Sequence, residues 1–411
     1  MKGEIVVGLD IGTTKIATVI GEVDDNEEIK IIGVGCVPSE GLRKGVVINI
    51  DKTVKSIVKS VEEAELIAGV DVEEVFVGIA GDHIRSVNSK GVIAVSRNDH
   101  EITKADVNRV IDAAKAVAIP MDREILHVLP QEFIIDNQPG IKEPIGMSGV
   151  RLEAEVHIVT GAVTSAQNIF KSVEKAGLKV VDLVLEPLAS SYAVLTNDEK
   201  ELGVALLDFG GGTVDIALFF EESIRHTAVI GLGGNNITSD IAIGLRTPLE
   251  QAEEIKKRYG YAVSREMDEE PIVVPGVGGR AEREISRSVL TAIIEPRLEE
   301  IFQLAQREIK KTEYADMLAA GIVLTGGGAM MQGATELAEQ IFDCPVKLGY
   351  PRVCGGLKDA AQHPCHATGV GLVYYGLGYL KSQFEEGQFH SQGDMFQPIL
   401  SRMKEWVKEF F

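Results

Sequence analysis

Two short segments, DIGTTK at Asp10 to Lys15 and DFGGGT at Asp208 to Thr213, each end an apolar strand on a carboxylate and follow it at once with glycine and hydroxyl residues. Either turn alone is ordinary, because a strand ending in Asp-x-Gly often closes a simple hairpin. The constraint comes from the surroundings, which repeat. EIVVGLD, KIATVIGEV and IKIIGVGCV are apolar runs separated by short turns, and GVALLDFGG, TVDIALFFEE and SIRHTAVIGLGG restate that arrangement in the second half of the chain. A repeat of domain size implies two similar lobes rather than a solenoid. After the first set, Val54, Ile57, Val58, Val61 and Ala64 follow helical spacing and VEEVFVGIAG returns to strand, so the class is α/β.

The turns carry chemistry as well as topology. Gly12 lets the first turn bend tightly, so that backbone N–H groups and the hydroxyls of Thr13 and Thr14 can face phosphate oxygens, while Lys15 can neutralise their charge. Gly210, Gly211, Gly212 and Thr213 supply the same parts from the other lobe. Asp10 and Asp208 are then placed to hold Mg²⁺, through water, since that ion keeps several of its own waters. Two such turns can clamp a polyphosphate at the interface of the lobes.

A chain of 411 residues that is 45% hydrophobic can bury full-sized cores. Its formal net charge of -21 opposes non-specific attraction to nucleic acid or anionic lipid, so no nucleic-acid partner is expected and any membrane contact must be local. Cys36, Cys344, Cys354 and Cys365 are scattered, and no signal peptide precedes the first strand, which implies a reducing compartment with free thiols. Cys354, His363, Cys365 and His366 fit no zinc spacing and read as structural or surface residues. Met317 to Thr335 lacks charges, but Gly326 to Gly328 interrupt it, so strand, turn and helix start is expected rather than a membrane span.

The expected organisation is a lobe-one core in 1–83 and 161–194, an inserted subdomain in 84–160, a lobe-two core in 195–234 and 300–380, and a small lobe-two subdomain in 235–299. The insert contains the strand-like GVIAVS and a helix from about Thr103 to Val117; the small subdomain contains helices and a loop, EEPIVVPGVGG. From Lys381 to 395 the texture turns polar and reads as a flexible linker. Beyond it Phe396, Ile399, Leu400, Met403, Trp406, Val407, Phe410 and Phe411 recur at steps of three and four, one apolar face of a helix. Such a helix fits the membrane interface, with docking on the body or on a partner as the alternative.

Five motifs in order, DIGTTK, LEPLASSYA at Leu185 to Ala193, DFGGGTVD, GLGGNNITSD at Gly231 to Asp240 and LTGGGAMM at Leu324 to Met331, resemble the actin-like ATPase superfamily, which includes actin, the seventy-kilodalton chaperones, sugar kinases and MreB. The resemblance covers nearly all of 1–380 and implies a two-lobed fold with duplicated ribonuclease-H-like cores that binds ATP with Mg²⁺. It implies that Glu186 positions water, that Gly233 and Gly234 let backbone approach phosphate or ribose, and that Glu253 and Lys256 contact ribose and adenine, although their spacing also suits a plain ion pair. Gly326, Gly327 and Gly328 resemble the adenosine turn, with Met330 and Met331 near the base; the third glycine and Met330 depart from the polar residues of the chaperones.

The insert at 84–160 together with linker and tail resembles the FtsA family of bacterial division proteins. That resemblance implies a filament-forming adaptor, peripheral on the cytoplasmic face of the inner membrane at the division septum. It also implies contacts with the C-terminal peptide of FtsZ around 235–307, with lipid and with other divisome proteins, and at most slow Mg-dependent ATP hydrolysis. The alternatives are an ATP-hydrolysing chaperone or small-molecule kinase, and a pilus-assembly ATP-binding protein.

Overall fold

The computed structural model describes residues 3–24, 26, 28–95, 99–264 and 271–388. The chain opens with an antiparallel meander, β1 (Ile5–Ile11), β2 (Lys15–Val23) and β3 (Ile29–Pro38), then a two-rung ladder of β4 (Leu42–Arg43) and β5 (Val46–Val47). Helix α1 (Ile50–Ala68) follows, started by Asn49, whose Oδ1 accepts the Lys52 N–H at 3.0 Å, and stopped by Gly69 in the left-handed region at φ 72°. Strand β6 (Glu74–Ile79) then pairs parallel to β1.

Here the insert leaves the lobe: β7 (Arg85–Ala94), α2 (Lys104–Lys115), β8 (Arg123–Ile135), β9 (Gln138–Ile141) and β10 (Arg151–Ala162) form a sheet in the order β7-β10-β8-β9. It has a core of its own, in which Val107 and Val110 of α2 pack with Phe133, Leu152, Val156 and Ile158 of the sheet. The chain returns through α3 (Val163–Lys175), β11 (Lys179–Leu185) and α4 (Glu186–Val194), completing a five-stranded sheet in the order β11-β6-β1-β2-β3.

Lobe two begins with α5 (Asn197–Leu202) and the meander β12 (Val204–Phe209), β13 (Val214–Phe220) and β14 (Ser223–Ile230). Next come α6 (Gly234–Leu245), α7 (Leu249–Tyr259), the hairpin β15 (Pro271–Val274) with β16 (Arg283–Ser286), and α8 (Arg287–Lys310). The chain closes with β17 (Ile322–Thr325), α9 (Ala334–Phe342), β18 (Val346–Leu348), α10 (Lys358–Ala361) and α11 (Ala367–Gln388). The second sheet reads β14-β13-β12-β17-β18. Its topology matches the first, a three-strand meander followed outward by two parallel strands, so the duplication seen in the turns extends to both sheets. Every residue of β12 is buried, as expected for a central strand covered on both faces.

The structure departs from expectation at four places. EEPIVVPGVGG is partly a strand, because PIVV pairs across to Arg283–Ser286 as β15 and β16. Helix α8, which helical spacing predicts over Leu298 to Lys310, starts instead at Arg287 and runs through Pro296. Helix α11 buries Val370, Leu372 and Val373 in the core of lobe one, so residues 367–380 do not join the lobe-two core to which 300–380 was assigned. It also continues through Gln388, so the polar texture from Lys381 marks no change of secondary structure there. The rest of the linker and the tail at 396–411 lie outside the described residues.

Although it belongs to lobe one in sequence, the insert is bonded to the edge strand of lobe two. Gln131 donates to the carbonyl of Ile224 at 2.8 Å, Ser86 to that of Thr227 at 3.0 Å, and Lys142 to the carbonyl of Glu221 at 2.5 Å. His157, 1% exposed, sits 2.6 Å from Asn88 Oδ1 and 2.9 Å from Thr227 Oγ1. Since the Asn88 amide nitrogen points to the Arg225 carbonyl, Nδ1–H of His157 donates to Oδ1 and Nε2 accepts the Thr227 hydroxyl.

Burial, with His226 nearby, lowers the His157 pKa to about 3. A neutral imidazole favoured by folding stabilises fully above the unfolded value of 6.5 and less as pH falls toward 3. Acidification should therefore lower stability, and Tm with it, by up to about 1.4 kcal/mol of unfolding free energy per pH unit within that window, and His157→Gln should make the acid limb of Tm against pH shallower. An unchanged acid limb in the variant would place the titrating group elsewhere.

Candidate nucleotide site

The first turn follows β1 and the second follows β12, and the two face each other across a cavity of about 580 Å³ between the lobes. Lobe one lines it with Asp10, Gly12, Thr13, Thr14, Lys15 and Glu186. Lobe two contributes Asp208, Gly210, Gly211, Gly212, Thr213, Gly234, Glu253, Lys256, Gly326, Gly327, Gly328 and Met330. Gly233 stands behind this wall: a Cβ there would fall 2.8 Å from the Gly210 carbonyl oxygen, and the next two amides donate to Gly210 and Gly211 at 3.0 and 2.8 Å. Its glycine thus seats α6 against the second turn.

The turns are packed as close as their side chains permit. A Cβ on Gly211 would lie 2.2 Å from Thr14 Cγ2, and one on Gly212 2.6 Å from Thr13 Oγ1. Gly326 has φ 85°, and a Cβ there would meet Asp208 Oδ1 at 2.5 Å, so the third glycine turn is built around the Asp208 carboxylate. The hydroxyls are more occupied than their motif suggests. Thr13 Oγ1 accepts the Gly45 N–H at 2.9 Å, and Thr213 Oγ1 donates to Asp215 Oδ2 at 2.9 Å.

Four acids converge here. Asp10 accepts from Lys15 at 2.5 Å; Asp208 accepts from Ser190 at 2.5 Å and from Thr368 at 3.2 Å. Glu186 opens α4, directly after β11, with Pro187 behind it. Asp215, which the sequence reading did not single out, is the register partner of Asp208 across β12 and β13. In lobe one the corresponding partner of Asp10 is Ala17, so the second carboxylate breaks the symmetry of the repeat.

Burial first, then the neighbouring carboxylates, pushes Glu186 well above the usual range and Asp215 up to about 8. Asp208 is also raised by burial, against the lowering effect of Ser190. Burial opposes the charge on Lys15, but Asp10 beside it outweighs that and holds its proton above the usual range. Asp215 Oδ1 is buried without a hydrogen-bond partner. This all-oxygen set, crowded with carboxyls and short of positive charge, suits a hard cation. Among the described residues no three His, Cys, Asp or Glu side chains are grouped to hold a metal unaided.

On the far side of the cavity, Glu253 and Lys256 form an ion pair at 2.6 Å, and Lys256 also donates to Thr238 at 2.8 Å and to the Gly234 carbonyl at 3.1 Å. The pair is therefore both an ion pair and part of the wall. Met330 and Met331 line the same end with Gly260 and Gln332. His363 and Cys365, expected to be structural or surface residues, also line the cavity. Thr368 and Gln332 carried no signal in the sequence, since α11 and the segment after the third glycine turn bring them in from elsewhere in the chain.

The family model described as cell division protein FtsA matches residues 205–371, and that for the SHS2 domain inserted in FtsA matches residues 81–160. The cell division protein FtsA of Pseudomonas aeruginosa is 52% identical over 413 residues, covering 100% of this chain and 99% of its own. The chain belongs to the FtsA family. The FtsA of Neisseria meningitidis is 49% identical over 98% of both chains, and that of Escherichia coli 41% over 98% of this chain and 96% of its own.

This FtsA-family chain is thereby a cell-division protein with an actin-like fold. Among solved structures, the PilM-PilN type IV pilus biogenesis complex aligns with TM-score 0.66 at 18% identity, over 90% of this chain and 98% of that one. MreB 5 of Spiroplasma citri bound to AMPPNP aligns with TM-score 0.58 at 16% identity, over 94% and 100%. Both show the shared fold.

Proposed function

We propose that this FtsA-family protein holds Mg-ATP between its lobes, self-associates into filaments, and tethers FtsZ filaments to the cytoplasmic face of the inner membrane at the division site. The observation that carries the nucleotide reading is the pair of glycine turns facing each other over Asp10, Asp208, Glu186 and the unpartnered Asp215 oxygen. That fold neighbours were solved as an MreB bound to AMPPNP and a MamK double helical filament supports the same reading.

In it, the backbone N–H groups of both turns bind phosphate oxygens, Lys15 offsets their charge, and Asp10 and Asp208 hold the waters of a bound Mg²⁺. The ion supplies the positive charge that lets the buried acids ionise. Glu253, Lys256, Gly326 to Gly328 and Met330 enclose the nucleoside. Glu186 positions water, and its preference for a proton keeps it from accepting one until positive charge arrives, which fits slow hydrolysis.

Tethering rests on the apolar face of Phe396, Ile399, Leu400, Met403, Trp406, Val407, Phe410 and Phe411. Among the described residues no helix is long and apolar enough to cross a membrane. In flotation with anionic vesicles and Mg-ATP, the full chain should carry an FtsZ C-terminal peptide to the lipid fraction, and a chain lacking 396–411 should lose at least about tenfold in lipid binding. Persistent flotation of the shortened chain would remove the tail from the tethering role.

A further inference from the structure

The turn between β4 and β5 brings the backbone of Lys44 and Gly45 to the junction of the two glycine turns. Lys44 and Gly45 both have left-handed backbones, at φ 50° and 74°. Glycine adopts that region freely, whereas lysine does so only at a cost, so the loop is held there by what it touches.

What it touches is both phosphate turns. The Gly45 N–H donates to Thr13 Oγ1 at 2.9 Å, tying the loop to the first turn. A Cβ on Gly212 would stand 3.0 Å from Lys44 Cα, so the loop abuts the second turn as well. The side chain then reaches the end of β14: a Cβ on Gly231 would lie 3.7 Å from Lys44 Nζ and 3.8 Å from Asp82 Cβ. Gly45 itself lines the cavity. Lys15, the other cation of the turns, is already engaged by Asp10 at 2.5 Å, whereas no ion pair joins Lys44 to a carboxylate among the described residues.

We propose that Lys44 is a phosphate-binding residue that contacts the terminal phosphate of a nucleoside triphosphate where the two turns meet. This rests on the nucleotide reading above and adds a discrimination to it. A diphosphate lacks the group that would lie at that junction and so forgoes the contact with Lys44. The left-handed backbone fixes where the ammonium starts, and the bond from Gly45 to Thr13 keeps that position in register with the first turn.

The test uses the full chain, fluorescent ATP and ADP analogues with Mg²⁺, and the variants Lys44→Asn and Lys44→Arg. Asparagine tolerates the left-handed backbone and removes the cation, whereas arginine keeps it. Lys44→Asn should weaken ATP binding about tenfold and ADP binding less than about twofold, the size expected for one charge-assisted hydrogen bond, and Lys44→Arg should recover most of the loss. Equal losses for both nucleotides, or none, would overturn the assignment and leave the site itself standing. A wild-type chain that binds neither nucleotide would overturn the nucleotide reading and this inference with it. Should Lys44→Asn fail to fold, as judged by its melt, Lys44→Gly removes the same cation while relieving the backbone and is read by the same ratio.

Discussion

Nucleotide-free protein should lose stability as pH rises from about 6.5 to about 8, and Mg-ATP should abolish the loss. Asp215 is raised from 3.8 to about 8 by burial and by Asp208. Between those values the folded chain holds a proton that the unfolded chain has released. The stabilising contribution is complete below 3.8 and disappears as pH climbs through about 8. Glu186 and Asp208, both raised, act in the same direction.

Other groups set the limits of the window. His157 and His366, lowered by burial to about 3 and about 4 from 6.5, make stability rise with pH on the acid side and so oppose the carboxyls there. Above 6.5 the imidazoles are neutral in both states and the carboxyls act alone. Beyond about 8, Lys200, lowered there from 10.5 by burial, makes stability rise again. Within the window each fully shifted carboxyl contributes at most roughly 2 kcal/mol, a few degrees in Tm. Asp215→Asn, melted without nucleotide, should make this slope shallower, and the stabilisation of wild type by Mg-ATP should grow with pH. If the variant keeps the full slope, the carboxyl pair is not its source.

The same acids show where the sequence was readable and where it was not. Asp10 and Asp208 were legible because each ends an apolar strand before a glycine turn, and because both turns repeat with their strands. The observed sheet orders carry that duplication outward to the parallel strands. Asp215 lay inside the quoted motif, yet nothing local separates it from any polar residue of an alternating strand; its meaning comes from the register that sets it against Asp208.

Thr368 reaches Asp208 across 160 residues of chain, a contact that no periodicity encodes. The return of α11 to lobe one was invisible for the same reason, since a helical pattern does not specify which sheet its apolar side covers. The β15–β16 hairpin was hidden by glycine and proline, which mark turns without telling whether flanking residues pair. Lys44 stood in a loop whose importance lies wholly in the two turns it touches.

Gly371→Ala should be among the most damaging small substitutions in the protein, because α11 crosses α4 backbone against backbone. A Cβ at Gly371 would lie 1.9 Å from the Ala189 carbonyl oxygen and 2.4 Å from its carbon, and nearby a Cβ on Gly8 would lie 2.5 Å from the Gly369 oxygen. No rotamer change relieves a clash with main chain, so the helix must lift away. Overpacking of this kind costs roughly 3 kcal/mol or more.

The lift has a chemical consequence. Thr368, one turn before Gly371, and Ser190, next to Ala189, both donate to Asp208, with their hydroxyl oxygens 3.1 Å apart. Separating α11 from α4 therefore withdraws the support of the lobe-two carboxylate, and nucleotide binding should weaken together with stability. Gly378→Ala is the control: it lies in the same helix, a Cβ there meets nothing within 4 Å, and alanine favours a helix by roughly 1 kcal/mol. That variant should melt at or above wild type and bind Mg-ATP normally. A Gly371→Ala protein that melts like Gly378→Ala would show that α11 and α4 can separate without loss, and the proposed support of Asp208 through their crossing would fall.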